Sequence, residues 1–283
     1  MRQIFATGVT ALVLAWSMAC GDVEISGPGV DWPDWAFPGD TAGQVRVTSE
    51  WRGQIAPGKQ IEIKGMSGDI RAIAASGSDV VVTATKIGQP NDVAAVNIDV
   101  VSHAFGVTIC AVYPDVAGQR SNACEPGNAG NMSVWDSAGG SVEVEFAVEV
   151  PVSVVFVGRT LAGDVVATGL ESNAFVSTMF GDVQVSTTRL ATAKTVWGSV
   201  VGSIGLPDWE RDLEFSTMTG DVVVTIPAAT NARVQATIQS GHITSDFPLT
   251  QVLPGDIRGT IGRGGPTLKL ATLAGDITLK RGG

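Results

Sequence analysis

Thr160-Leu161-Ala162-Gly163-Asp164-Val165 returns eighteen residues later as Thr178-Met179-Phe180-Gly181-Asp182-Val183. The same six-residue frame then recurs as Thr195-Val196-Trp197-Gly198-Ser199-Val200, as Thr217-Met218-Thr219-Gly220-Asp221-Val222 and as Thr272-Leu273-Ala274-Gly275-Asp276-Ile277. Two looser copies are Met66-Ser67-Gly68-Asp69-Ile70 and Gln239-Ser240-Gly241-His242-Ile243. From Gly163 to Gly241 the successive glycines stand 18, 17, 22 and 21 residues apart. A period of about 20 residues built from short apolar runs is the spacing of a β-solenoid, in which one turn cannot bury its apolar face and so must stack on another. Parallel stacking at ~4.8 Å aligns equivalent positions into ladders. The 34-residue gap from Gly241 to Gly275 predicts one more, unmarked turn around Ile257–Ile261.

The first half of the chain carries the same strand signal without the repeat. Val142 to Val150 alternates apolar and polar residues, as a strand with one buried face does. Further runs lie at Ile61–Ile63, Val80–Thr85, Val96–Val101 and Val107–Val112. No segment sustains a 3.6-residue period with caps, so the expected fold class is all-β: a parallel, β-helix-like solenoid with a strand-rich N-terminal half. Composition agrees. Glycine is 35 of 283 residues, charged residues are 16% and hydrophobic residues 44%, which excludes a disordered acidic chain. A formal charge of −10 without any Lys/Arg cluster excludes a nucleic-acid binder.

Residues 1–19 read as an export signal: Arg2, an apolar run from Ile4 to Trp16 too short for a permanent span, then Ser17-Met18-Ala19. Two cleavage readings stand. Ser17 and Ala19 suit ordinary secretory cleavage; alternatively Cys20 is the lipid-modified first residue of a bacterial lipoprotein, with Ser17 where leucine is usual. The cysteine count bears on the choice. Of three cysteines, Cys110 and Cys124 are close enough to pair in an oxidising compartment, closing a loop of ~15 residues and adding ~3 kcal/mol. Lipidation then accounts for Cys20, and the acidic balance favours a lipid anchor over electrostatic docking as the route to a membrane. Residues 20–47, rich in Gly, Pro and acids, read as a flexible tether, with Trp32, Trp35 and Phe37 expected to fold back on the domain's end. The main domain is assigned to 48–283.

The Gly-Asp-Val units, Val148-Glu149-Val150-Pro151 and the ending Gly275-Asp276-Ile277-Thr278-Leu279 resemble the bacterial "putative adhesin" family of cell-envelope proteins. Trp51-Arg52-Gly53 with Ile61-Glu62-Ile63-Lys64-Gly65 is similar to its opening, and Thr260-Ile261-Gly262 with Gly264-Gly265 to its penultimate turn. The resemblance covers about residues 48–283. It implies a right-handed β-solenoid in the envelope, and it brings no catalytic residues.

Candidate residues follow from the repeat. The turn set is Gly68, Asp69, Gly163, Asp164, Gly181, Asp182, Gly198, Gly220, Asp221, Gly241, Gly275 and Asp276. Aligned carboxylates suit a hard cation, but Gly-Gly-x-Gly-x-Asp is missing and Ser199 and His242 replace the acid in two copies. The expected role is therefore structural: glycine for a tight bend and a small polar residue bonding local backbone, with no metal and no cofactor. Solenoids also carry carbohydrate-active enzymes, and Asp164 and Asp182 could stack at a catalytic separation. Their equivalence around the repeat assigns them to turns instead, so no enzyme is expected. His103 and His242 share no metal site, and Trp209 is assigned to ordinary packing. One departure stands out. Before the glycine most copies carry Ser, Ala or Thr, while two successive copies carry Phe180 and Trp197. With the preceding apolar residue and the following Val taken as inward, alternation turns both rings outward, side by side, as a contact for a glycan or an envelope protein. A bend at the glycine would instead put them in the core. The expected function is non-enzymatic adhesion or recognition, with an envelope scaffold or stress-signalling accessory as the alternative and a carbohydrate-active enzyme behind both.

Overall fold

The computed structural model of the chain describes residues 43–115, 117–118, 121–127 and 141–282. Residues 1–19, read as an export signal, and Cys20, Trp32, Trp35 and Phe37 in the stretch read as a tether lie outside the described residues. In chain order the first half holds β1 (Val45–Gly53), β2 (Gln60–Lys64), β3 (Ile70–Ala74), β4 (Val80–Gly88), a short helix α1 (Pro90–Ala95), β5 (Asn97–His103), β6 (Gly106–Val112) and β7 (Glu143–Val150). The repeat region follows with β8 (Val155–Arg159), β9 (Val165–Leu170), β10 (Ala174–Ser177), β11 (Val183–Thr187), β12 (Ala191–Lys194), β13 (Val200–Ile204), β14 (Leu213–Ser216) and β15 (Val222–Pro227). It closes with β16 (Ala232–Thr237), β17 (Ile243–Ser245), β18 (Thr250–Leu253), β19 (Asp256–Ile261), β20 (Thr267–Ala271) and β21 (Ile277–Gly282). The protein is all-β, and the first strand begins at Val45, just inside the stretch read as tether.

These strands form two large, mostly parallel sheets. One runs β1-β4-β7-β3-β9-β11-β13-β15-β21-β17, the other β18-β19-β16-β20-β14-β12-β10-β8-β2-β6-β5. Each copy of the repeat is the corner that carries the chain from the second sheet to the first. Thr178–Asp182, for example, joins β10 to β11, and Thr195–Ser199 joins β12 to β13. Equivalent residues pair in register from copy to copy, as in Val183↔Val200 and Val200↔Val222. Inward positions are small or branched apolar residues, so β11 alternates buried Val183 and Val185 with outward Gln184. Fully buried Phe146, Phe156 and Phe215 fill the space between the sheets.

The copies do not stack in chain order throughout. Bridges run Ser67–Ala162–Phe180–Trp197–Thr219–Ala274–Ser240, so the Gly275 copy inserts between the Gly220 and Gly241 copies. Composition explains the exchange. β20 and β21 bring four buried residues, Leu268, Leu270, Ile277 and Leu279, whereas the Gly241 copy leads into the three-residue β17 and a fully exposed β18. The more apolar turn takes the inner place, and the polar one becomes the edge. The extra turn expected around Ile257–Ile261 is not a repeat turn. β18 and β19 form an antiparallel hairpin around Gly255, and β19 returns antiparallel along β16. Antiparallel pairs also close the other end, β1–β4–β7 in one sheet and β5–β6 in the other.

β7 departs from its alternating reading. Its outward Glu145 is buried as well as its inward Phe146. Burial pushes the Glu145 carboxyl up to about 7, with Asp69 and Glu143 adding to the rise and Arg46, 3.6 Å away, and Arg71 opposing it.

Candidate functional site

Three ladders build the corner. All seven repeat glycines, Gly68, Gly163, Gly181, Gly198, Gly220, Gly241 and Gly275, hold φ between 118° and 145°. At Gly198 a Cβ would collide with the carbonyl of Gly181, its carbon only 2.6 Å off, so both the backbone angle and the approach of the next copy demand glycine. The second ladder is threonine. Thr178, Thr195, Thr217 and Thr272 are buried, and each hydroxyl donates to the carbonyl of a repeat glycine one copy away: Gly163, Gly181, Gly198 and Gly220, at 2.8–2.9 Å. Thr160 does the same to Gly68 at 3.2 Å. In the third ladder Oδ1 of Asp69 accepts the N–H of Asp164 at 2.8 Å, Asp164 that of Asp182 at 2.7 Å, and Asp182 that of Ser199 at 2.7 Å. Ser199 Oγ continues to Asp221, Asp221 to Asp276, and Asp276 to the backbone of His242. The carboxylates thus join neighbouring copies, in place of the bonds to local backbone expected from the sequence. Among the described residues no cluster of three His, Cys or acidic side chains converges on a metal position.

Phe180 and Trp197 stand on the outside of this corner, 47% and 53% exposed, and are directly bridged in adjacent copies. The apolar residue before them was expected to face inward, and it does not. Met179, Met218 and Leu273 are exposed, while Leu161 and Val196 are half-buried. Strict alternation fails here because the inward positions are Thr and Val, five residues apart across a corner bent at glycine, which leaves two consecutive residues outside. The result is a ridge in which Met179, Phe180, Val196, Trp197, Met218 and Leu273 follow one another over neighbouring copies. On the flank toward the first sheet runs a groove of about 210 Å³, lined by Asp164, Asp182, Gln184, Ser199 and Val201.

A second polar centre went unread in the sequence. Cys110 and Cys124 are disulfide-bonded, Cα to Cα 5.6 Å. The bond holds the 121–127 segment by Glu62, which faces outward from β2 yet is fully buried. Glu62 Oε2 accepts from Thr108 Oγ1 at 2.9 Å and from the Gly127 N–H at 2.8 Å, and Arg159 Nε lies 3.4 Å from Oε1. His103 Nε2 is 3.0 Å from Thr108 Oγ1, and the Phe105 N–H donates to its Nδ1. Burial lowers the pKa of Lys64, opposed by Glu62; its ammonium donates to the Glu125 carbonyl. Most polar atoms of the cluster bond within it, while the buried Glu62 Oε1 has the Arg159 ion pair and no hydrogen bond. His242 is far out in solvent beside Asp276, and Trp209 is buried.

No family model matches the chain, and no curated protein matches it. Among solved structures, a "putative cell adhesion protein" from Clostridium sporogenes is similar at 10% identity and TM-score 0.47, over 83% of this chain and all of that one. A "putative adhesin" from Bacteroides fragilis is similar at 12% identity and TM-score 0.25, over 84% of this chain and 97% of that one. Another from Parabacteroides distasonis is similar at 9% identity and TM-score 0.29, over 82% and 97%. These three solved structures are bacterial proteins titled "putative adhesin" or "putative cell adhesion protein".

Proposed function

We propose that this chain is a non-enzymatic, exported cell-envelope protein that recognises a glycan or protein partner through the corner ridge centred on Phe180 and Trp197. The observation that carries the reading is the pair of half-exposed rings in adjacent copies, continuous with Met179 and Met218 and flanked by the Asp164–Asp182 groove. Exposed aromatic and methionine side chains offer apolar area to a sugar face or a partner surface, and the groove offers hydrogen-bond acceptors beside it. In this reading the two sheets are walls of a right-handed β-solenoid. The glycine, threonine and aspartate ladders hold successive copies rigidly, so the ridge is presented preformed. Cys20 carries the lipid anchor and the tether sets the domain off the membrane; the disulfide suits an oxidising envelope compartment.

The test is a binding screen of the full chain against a glycan array and an envelope extract, with the Phe180→Ala/Trp197→Ala double variant in parallel. A ligand lost in the variant, with circular dichroism unchanged, supports the reading. A ligand retained places recognition elsewhere. A second reading, an envelope scaffold or stress-signalling accessory, draws on the opposite feature. Edge strands β1 and β5 lie at the same end of the two sheets and leave Val47, Val100 and the adjoining Phe105 exposed. Concentration-dependent self-association in sedimentation, with no ligand in the screen, would favour it.

A further inference from the structure

The outer face of the second sheet is built differently near its C-terminal edge. There β16 pairs with β20 on one side and, antiparallel, with β19 on the other. The register sets Arg233 beside Thr260 and Thr267, and Gln235 beside Arg258 and Lys269. The alternate residues Ala232, Val234, Ala236, Leu268 and Leu270 are buried, so the polar set stands on the outward face. Arg233, Gln235, Arg258, Thr260 and Thr267 line a groove of about 390 Å³, inside the ~300–1,000 Å³ range of small-molecule sites.

The chemistry of the lining is unusual for a chain of charge −10. Two guanidinium groups share the groove, with the Lys269 ammonium at the adjoining register position. The acids nearby are engaged. Asp256 grips Arg258 through Nε at 3.0 Å and Nη2 at 2.7 Å, Asp212 accepts the Thr267 N–H at 2.7 Å, and Glu214 pairs with Lys194. Among the described residues no acid pairs with Arg233. Asp256 therefore fixes one guanidinium in place while the other remains open to an incoming anion.

We propose that this groove binds a carboxylate-bearing saccharide, a uronate within a glycan chain. A guanidinium fork matches a carboxylate in geometry as well as charge. Gln235 and the hydroxyls of Thr260 and Thr267 both donate and accept, as sugar hydroxyls require. The site lies on the outer face of the second sheet, away from the corner that carries Phe180 and Trp197, and does not depend on that ridge.

The experiment titrates the full chain with galacturonic acid trimer, a neutral galactose trimer, inorganic phosphate and phosphatidylglycerol vesicles, at 50 and 500 mM NaCl. The acid trimer is expected to bind at least tenfold more tightly than the neutral one and to weaken severalfold at high salt. Arg233→Gln should weaken it tenfold or more, Lys269→Gln two- to threefold, and Phe180→Ala/Trp197→Ala not at all. Arg233 and Lys269 are exposed, so both single variants should keep the parent's melting temperature. Equal binding of the two trimers, acid-trimer binding unmoved by Arg233→Gln, phosphate binding as tight as the acid trimer, or binding to the vesicles alone would each overturn the proposal.

Discussion

Replacing Gly198 by alanine separates the two demands that the corner makes on its glycines. The residue sits at φ +140°, a region that side chains rarely enter, at a cost of about 1–3 kcal/mol. The added Cβ would also strike the Gly181 carbonyl, whose carbon lies 2.6 Å away, and the obstacle is backbone that cannot rotate aside. Relief requires the two copies to part, which weakens the bond from Ser199 N–H to Asp182 Oδ1 and that from Thr195 Oγ1 to the Gly181 carbonyl, each worth about 1 kcal/mol. The sum is on the order of 3–5 kcal/mol. Two controls divide it. Gly169→Ala has positive φ, +64°, but open space around its Cβ, and should cost about 1 kcal/mol. Gly77→Ala meets neither obstacle and should fall within about 0.5 kcal/mol of the parent. Urea titrations followed by circular dichroism read all three. A Gly198→Ala protein within 1 kcal/mol of the parent, or level with Gly169→Ala, would refute the claim that close stacking, and not only the turn angle, fixes the repeat glycine.

Thr195→Val keeps shape and deletes the hydroxyl that bonds the Gly181 carbonyl, so urea titration should show a loss of about 1 kcal/mol. Glu145 holds its proton more tightly when folded than unfolded, so it favours the fold below its ordinary pKa of 4.5, and that contribution fades as pH rises to about 7. Because the Arg46 partner is open to water, the loss should be about 1 kcal/mol between pH 5 and 8, and Glu145→Gln should flatten that part of the melting-temperature profile. Joint Cys110→Ala and Cys124→Ala substitution should cost ~3 kcal/mol from the lost loop constraint and speed hydrogen exchange at the Gly127 amide, which now donates to Glu62.

The strands and the corner were legible because they depend on local pattern. Val183-Gln184-Val185 alternates, and the five Gly-centred units from Gly163 to Gly241, at a near-constant period, must stack on something like themselves. Phe180 and Trp197 stood out as large residues where the other copies are small, and they do lie outside, although the inference assumed an unbroken alternation that the bend at glycine does not keep. Met179, Met218 and Leu273 were read inward for that reason. The threonine ladder was announced by five threonines in the same frame, yet its role needs the next copy's carbonyl, which a single repeat does not display. The exchanged order of the last two copies depends on the apolar strength of Leu268, Leu270, Ile277 and Leu279 relative to the exposed Thr250–Leu253 strand, a competition between distant segments. Burial of Glu62 depends likewise on residues some sixty positions away, held there by the disulfide.

In the proposed function, Phe180 and Trp197 carry recognition. The most direct test is the dissociation constant of the tightest glycan or protein ligand found for the full chain, measured against Phe180→Ala/Trp197→Ala. Two contact rings at ~1 kcal/mol or more each predict at least a tenfold weakening with an unchanged melting temperature. An affinity unchanged within twofold would contradict it.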